Sequence, residues 1–417
     1  MLDRLSGFML AEGAGARAKW ALANFGWLSF AAALGLSLLG VYAIDIATQA
    51  ELEARGLSGT AHRQVLFLGV GVLVACIVCV PHYRWFGFLR WPMAAVTLGL
   101  LVFLLIPAVP SSIVTPRNGT RGWIDLGPTD FQPSEVAKVV FAIVLAWHMR
   151  YKRSHRRFLG LFGPALIAFV PIGLIMLQPD FGTAMMFVPA LAAVVIAAGA
   201  KLRHLAIIAL VAAMAAPATY PFLKDYQKER VVGLIRQIQG SRDGADDINY
   251  QSFTAQKVMG AGLATGNADE HTRALIRYNR LPEAQNDMVY SVLVTRFGFW
   301  GGVGILGLYL AWLLGALGVA AVCTDPFGRL LCVALAALIA GQTVVNVGMN
   351  VGLLPIVGVT LPFLSAGGSS MIAVWLTTGL VLGVGLRRSS QPYRPSFEYA
   401  AGDAQPVLSN VRTRPSP

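Results

Sequence analysis

Apolar residues along this chain gather into runs long enough to cross a lipid bilayer, separated by mostly short polar connections. A hydrocarbon core of ~30 Å takes about 20 helical residues. By that measure the pattern predicts ten spanning helices, near residues 25–46, 64–80, 92–109, 134–149, 161–177, 182–200, 203–221, 287–320, 328–350 and 368–386. The expected fold is an all-α membrane protein: a single polytopic bundle over residues 1–388, followed by a disordered tail over 389–417 rich in Pro, Ser and Arg. The first apolar stretch is long enough to span and has no small-residue cleavage site, so no cleavable signal peptide is expected. One connection, residues 222–286, is too long and polar for a passive turn. Within it, residues 223–238 mix Lys224, Lys228, Arg230 and Arg236 with Val231, Val232, Leu234 and Ile235. They read as an amphipathic helix, lying either on the membrane surface or on the protein's own outer face. Residues 260–266 read as a flexible glycine-rich turn, and no strand precedes them to make a phosphate loop.

Composition sharpens this picture. Of 417 residues 56% are hydrophobic and only 13% charged, and the mean hydropathy is +0.62. The charged share is about half that of a soluble domain, too little to build a water-facing surface. The 44 glycines have no fixed period and the four cysteines are too few for a disulfide scaffold. Cys76 and Cys79 lie inside an apolar run and Cys323 and Cys332 flank another, which predicts buried, inert thiols.

The net charge of +12 does not point to nucleic acid, because the basic residues sit between the spans. Arg4, Arg17, Lys19, Arg84, Arg90, Arg150, Lys152, Arg153, Arg156, Arg157, Lys201, Arg203, Arg329, Arg387 and Arg388 fall on one side. The short loops of the other side hold only Arg55, Arg63, Arg117 and Arg121. That asymmetry places both termini in the cytoplasm.

Four constellations could carry chemistry. The first is the stretch from Gly119 to Gly127 followed by Phe131-Gln-Pro-Ser-Glu-Val-Ala-Lys138. Pro133 suits a first helical position, Glu135 the positive helix end, and Lys138 lies one turn on. This is either a helix start with a snorkelling lysine or an ion pair facing a cavity. In Leu177-Gln-Pro-Asp-Phe-Gly-Thr183, Asp180 either caps the next helix or joins outward carboxylates. In Arg280-Leu-Pro-Glu-Ala-Gln-Asn-Asp287, the aspartate either caps a long apolar helix or works at the lipid boundary. Finally, Gln342, Asn346 and Asn350 form a polar stripe that serves helix packing or lines a wet cavity. It leads into backbone interrupted by Pro355 and Pro362, tolerable only where protein or water satisfies it.

These pieces, together with Gly352-Leu-Leu-Pro-Ile-Val-Gly-Val-Thr-Leu-Pro-Phe-Leu-Ser-Ala-Gly-Gly-Ser-Ser370, resemble in order the shape, elongation, division and sporulation family, which includes RodA and FtsW. The likeness runs from the first span to Arg388, and the short N-terminus and residues 346–359 lean towards RodA. The resemblance implies a ten-helix bundle that polymerises lipid II at the outer face of the bacterial cytoplasmic membrane, with a class B penicillin-binding protein as transpeptidase partner. It also implies that Asp287 is the catalytic aspartate. Arg121, Glu135, Lys138 and Asp180 carry over as substrate-binding residues, and Arg277, Arg280 and Ser365 join them. Departures from the family are Gln285 and Asn286 where His-Thr is usual, Thr295 and Arg296 where two glutamates are usual, and Ala366 where a tyrosine is usual.

The implied chemistry suits these residues. A pyrophosphate leaving group needs no general acid, so one general base suffices. Asp287 takes that role, or holds a divalent ion, Mg²⁺ or Mn²⁺, that activates the hydroxyl. Cations balance the developing pyrophosphate charge. Two rival readings are a flippase for the lipid-linked precursor, suggested by the polar stripe and broken helices, and a non-catalytic scaffold for a partner synthase.

Overall fold

A computed structural model describes residues 24–49, 56–117, 120–127, 129–151, 158–219 and 250–387, with isolated positions 228 and 232. The predicted surface helix over 223–238 and the tail over 389–417 lie outside these residues.

Every predicted span falls on a helix. The first four are α1 (Gly26–Thr48), α2 (Gly59–Cys79), then after the short α3 (Arg84–Phe88) the helix α4 (Arg90–Leu105), and α5 (Pro133–Met149). They continue as α6 (Phe162–Leu177), the broken pair α7 (Phe181–Met185) and α8 (Phe187–Ala197), and α9 (Leu202–Thr219). Two short helices, α10 (Tyr250–Gly260) and α11 (Asp269–Tyr278), come before α12 (Val289–Val322), α13 (Pro326–Asn350) and α14 (Gly368–Leu386). Six of these segments are long and apolar enough to cross a membrane outright, and shorter apolar helices accompany them.

The helices pack through large buried rings and small polar links. Trp312, Trp375, Phe187, Phe327 and Phe363 are fully buried. Ser29 Oγ donates to the Trp312 carbonyl at 2.8 Å, the Trp312 indole N–H reaches Thr378 Oγ1 at 3.2 Å, and the Trp375 indole N–H reaches Ser37 Oγ at 3.2 Å. These bonds tie α1, α12 and α14 together in a medium with no water to compete.

Three features depart from the sequence expectation. The connection between α4 and α5 forms a small antiparallel sheet in the order β1-β2-β3, from Val114–Arg117, Thr120–Asp125 and Asp130–Phe131. Its last strand is pinned to the start of α14, since Ser369 Oγ donates to the Asp130 carbonyl at 3.0 Å and accepts from the Gln132 N–H at 2.9 Å. Secondly, Cys76 faces outward and Cys79 is half-buried, while Cys323 and Cys332 are buried as expected; all are free thiols.

Thirdly, the single long span is two helices meeting at Gly298, whose φ of 71° and ψ of −171° break α12. Residues 260–266, expected to be a flexible turn, are packed into that break. The N–H groups of Phe299 and Trp300 donate to the carbonyls of Leu263 at 2.9 Å and Ala264 at 3.4 Å. The carbonyls of Thr295 and Arg296 accept from Asn267, from its side chain at 3.1 Å and its backbone at 3.1 Å. The loop therefore replaces the hydrogen bonds that the kink removes, which is what buried backbone requires.

Candidate functional site

The site lies where α5, α7, α12, α13 and α14 meet, at one end of the bundle. Asp287 sits on the turn entering α12, and its carboxylate is only partly buried. The polar stripe of α13 holds it from behind. Asn346 and Asn350, both completely buried, each donate a side-chain N–H to the Asp287 carbonyl at 2.9 Å. Asn346 also donates to the Val359 carbonyl at 2.7 Å, and Asn350 accepts from Ser291 Oγ at 2.5 Å. The asparagines of the stripe thus serve the bundle's polar packing, and their specific target is the backbone of the candidate catalytic residue.

A second set of bonds fastens the same turn to the segment after Pro362. Ser365 Oγ donates to the Asn286 carbonyl and accepts from the Leu361 N–H, both at 2.7 Å. The Ala366 N–H reaches the Gln285 carbonyl at 2.9 Å, and Gln64 Nε2 donates to the Ser365 carbonyl at 3.1 Å. Ser365, expected among the substrate-binding residues, gives its hydroxyl proton to the Asn286 carbonyl and so helps hold this turn. Arg280, Glu283 and Phe363 adopt left-handed backbone with φ of 48°, 47° and 68°. Side-chain-bearing residues hold such angles only where surrounding structure enforces them, and they gather at functional sites.

Burial is the main cause that pushes the Asp287 carboxyl up to about 7, and the negative charges of Glu283 and Asp180 add to it. A Cβ at Gly358 would come within 3.7 Å of the Asp287 Oδ2 atom. Asp180 takes the capping role the sequence allowed. Its carboxylate caps α7 by accepting from the Thr183 N–H at 3.0 Å. Burial pushes its proton affinity up against that bond and against the charge of Lys138, while Glu135 adds to the rise. The snorkelling alternative for Lys138 is overturned: its ammonium is buried and meets Glu135 Oε1 at 2.8 Å. Asp287 thus feels the charge of Asp180, and Asp180 that of Lys138 and Glu135.

Arg121, on β2, donates from Nη2 to the Val109 carbonyl at 3.2 Å, and its Nε is buried with no partner among the described residues. Arg277 and Arg280 line a cavity of about 210 Å³ with Arg273, Ile46, Gln49 and Leu281. Sequence reasoning missed Arg273, which meets Asp45 at 3.4 Å. It also missed the partner of Arg296. This guanidinium pairs with Asp269 on α11 and donates to Tyr42 at 2.8 Å and the Asn267 carbonyl at 2.9 Å. Asn286, another departure, donates to Glu283 Oε2 at 2.6 Å and steadies the turn beside Asp287.

Among the described residues no group of three or more His, Cys, Asp or Glu side chains is fit to hold a metal ion. A divalent cation at Asp287 would need oxygens from the substrate to complete its shell, as Mg²⁺ does at phosphate sites.

The family model for FtsW, RodA and SpoVE, described as "Cell cycle protein", matches residues 24–390. The chain belongs to this family. Within the FtsW/RodA/SpoVE family, Stage V sporulation protein E of Bacillus subtilis is 31% identical over 327 residues, covering 78% of this chain and 86% of that protein. The probable peptidoglycan glycosyltransferase FtsW of Nitrosococcus halophilus is 31% identical over 365 residues, covering 85% and 90%. Among solved structures, a chain of a peptidoglycan synthase complex superposes with a TM-score of 0.73 at 30% identity, covering 88% of this chain and 98% of that one. RodA of Thermus thermophilus gives a TM-score of 0.63 at 27% identity over the same shares. The protein is a multi-pass membrane protein of the FtsW/RodA/SpoVE fold, and its likenesses fall on both branches.

Proposed function

We propose that this chain is a peptidoglycan glycosyltransferase that polymerises lipid II, with Asp287 as the general base. The observation that carries the reading is Asp287 itself: a partly buried carboxylate, poised near neutral pH beside other acids, fixed by two asparagines at the mouth of the bundle. A base with proton affinity near the working pH is the most effective kind.

In the step envisaged, Asp287 takes the proton of the acceptor sugar's hydroxyl. The freed oxygen attacks the anomeric carbon of the donor and forms the new glycosidic bond. The bond from that carbon to the lipid pyrophosphate breaks, and its electron pair leaves with the pyrophosphate. Displacement from the opposite face inverts the donor carbon. Arg121, Arg277, Arg280 and the Lys138–Glu135 pair would orient the substrate and balance the charge of the leaving group. Where Mg²⁺ or Mn²⁺ takes part, Asp287 and the pyrophosphate would hold it, and it would neutralise phosphate charge.

The charge asymmetry of the loops supports both termini in the cytoplasm, so that Asp287 works at the outer face. The likeness to a chain of a synthase complex supports a class B penicillin-binding protein as partner. The polar stripe, which favoured a flippase, is taken up at Asn346 and Asn350 by the Asp287 turn. Incubating purified chain with lipid II, with and without that partner and a divalent cation, should yield glycan strands. Precursor crossing liposomes with no polymer under any of these conditions would instead establish the carrier.

A further inference from the structure

Helix α2 buries one narrow stripe, while Leu66, Val70, Leu73 and Ile77 face outward. The stripe is Ala61, Gln64, Leu68, Gly71 and Ala75, spaced three and four apart as one helical face requires. It lies so close to α14 that a Cβ at Gly379 would fall 2.6 Å from the Ala75 Cα atom. Ala61, Leu68, Gly71 and Ala75 are the small or apolar residues that such packing in a membrane favours. Gln64 is the exception. It is 2% exposed, and a buried amide is costly unless its groups are bonded.

Both ends of that amide are bonded, and to the same short segment. Gln64 Nε2 donates to the Ser365 carbonyl at 3.1 Å, and Oε1 accepts from the Gly367 N–H at 3.2 Å. A carbonyl can only accept and an N–H only donate, so these partners fix which way the amide lies. Between them stands Ala366, whose N–H meets the Gln285 carbonyl at 2.9 Å, and Ser365 Oγ meets the Asn286 carbonyl at 2.7 Å. Asp287 is the next residue. Earlier positions of the segment are fixed from other helices. Tyr309 of α12 donates its hydroxyl to the Pro362 carbonyl, and α1 backs Phe363, since a Cβ at Gly40 would fall 2.7 Å from the Phe363 carbonyl oxygen. Gln64 does the same for residues 365–367.

We propose that Gln64 is a positioning residue for the glycosyl transfer: through residues 365–367 it holds the turn over 285–287 and sets where the Asp287 carboxylate stands. It acts through the backbone and not on the reacting atoms. The role rests on the glycosyltransferase reading, whereas the coupling from α2 to the Asp287 turn does not. Packing alone would need no amide here, because Leu68 fills the same stripe one turn on.

The test uses the full chain, with steady-state lipid II polymerisation, amide hydrogen exchange and Tm. Gln64→Leu keeps the bulk and removes both bonds. Its kcat should fall about 10-fold, for a turn displaced by less than the ~1 Å that costs about 10²-fold, with KM little changed. Exchange across residues 283–288 should rise. Gln64→Glu, which retains an oxygen for the Gly367 N–H, should recover part of the kcat. Leu68→Ala, in the same stripe, should lower Tm and leave kcat and that exchange as they were. Should Gln64→Leu fail to fold, Gln64→Met, of similar reach and without an N–H, takes its place with the same expected results. Unchanged kcat in the apolar variant beside an active unaltered chain would overturn the positioning role, as would an equal loss of kcat in Leu68→Ala. Absence of polymer from the unaltered chain would overturn the glycosyltransferase reading instead; raised exchange over 283–288 would still establish the coupling, and unchanged exchange would overturn it.

Discussion

The side-chain N–H of Asn346 lies 2.9 Å from the backbone oxygen of Asp287, a buried amide on one spanning helix holding the turn, at the entry to another, that carries the proposed base. Asn350 makes the same bond from one turn further along α13. Replacing Asn346 with Leu keeps the bulk and removes both donated bonds. A displacement of about 1 Å can cost about 10²-fold in rate, so kcat is expected to fall towards that extent while KM changes little. A purely structural loss would lower Tm alone. A positioning loss also moves the acid limb of the pH–rate profile down, as the carboxylate gains water. Steady-state polymerisation across pH 5 to 9 distinguishes the two.

The pH dependence has opposite signs for rate and stability. The rate should rise through pH 7 and level off above about 8, because only the ionised carboxylate can accept a proton. Stability runs the other way. With the folded carboxyl raised to about 7 and the unfolded one near 3.9, the folded state binds more protons between those values. Stability from this group is fully present below about 4 and is lost as pH rises through about 7. Asp287→Asn should therefore raise Tm at pH 8 and leave it nearly unchanged at pH 4, which thermal unfolding at the two pH values measures.

Arg296 and Asp269 link α12 to α11, with side chains 28% and 36% exposed. Their solvent exposure screens the pair, so the coupling is about 1 kcal/mol. Arg296→Glu puts two acids together and removes the bond to Tyr42, and it should lower Tm. Combining it with Asp269→Arg should restore part of the loss, read as a double-mutant cycle in thermal unfolding.

Gly298 should tolerate no side chain. Its φ is 71°, and an added Cβ would fall 2.4 Å from the Ala264 carbonyl oxygen. Gly298→Ala is expected to destabilise by at least about 2 kcal/mol, from backbone strain plus that collision. Gly304→Ala, further along the same helix with nothing within 4 Å of the new methyl, should be neutral or mildly stabilising. Comparing Tm for the two variants checks this.

The helices were legible because each apolar run is long enough to decide its own conformation. The local roles of Pro133 and Asp180 were legible too, since caps and helix starts depend on near neighbours, whereas the capping alternative for Asp287 fails, because Met288 stands at the cap of α12 and no side chain bonds there. What stayed hidden depends on distant pairings. The break at Gly298 exists because residues 261–267 fill it, and nothing within α12 announces that loop. Arg296 looked like the loss of an acid until the fold brought Asp269 to it. The polar stripe at Asn346 and Asn350 showed its period but not its target, the Asp287 carbonyl, far away in sequence. The short sheet over 114–131 escaped a reading tuned to helices, although residues 114–117 and 120–125 carry β-branched and aromatic residues around Asn118 and Gly119.

The most direct measurement is lipid II polymerisation by purified chain carrying Asp287→Asn or Asp287→Ala, beside the unaltered protein. Both variants should insert and migrate as the unaltered chain does, yet form no glycan strands. Polymer at the unaltered rate from either one would contradict the assignment of Asp287 as the base.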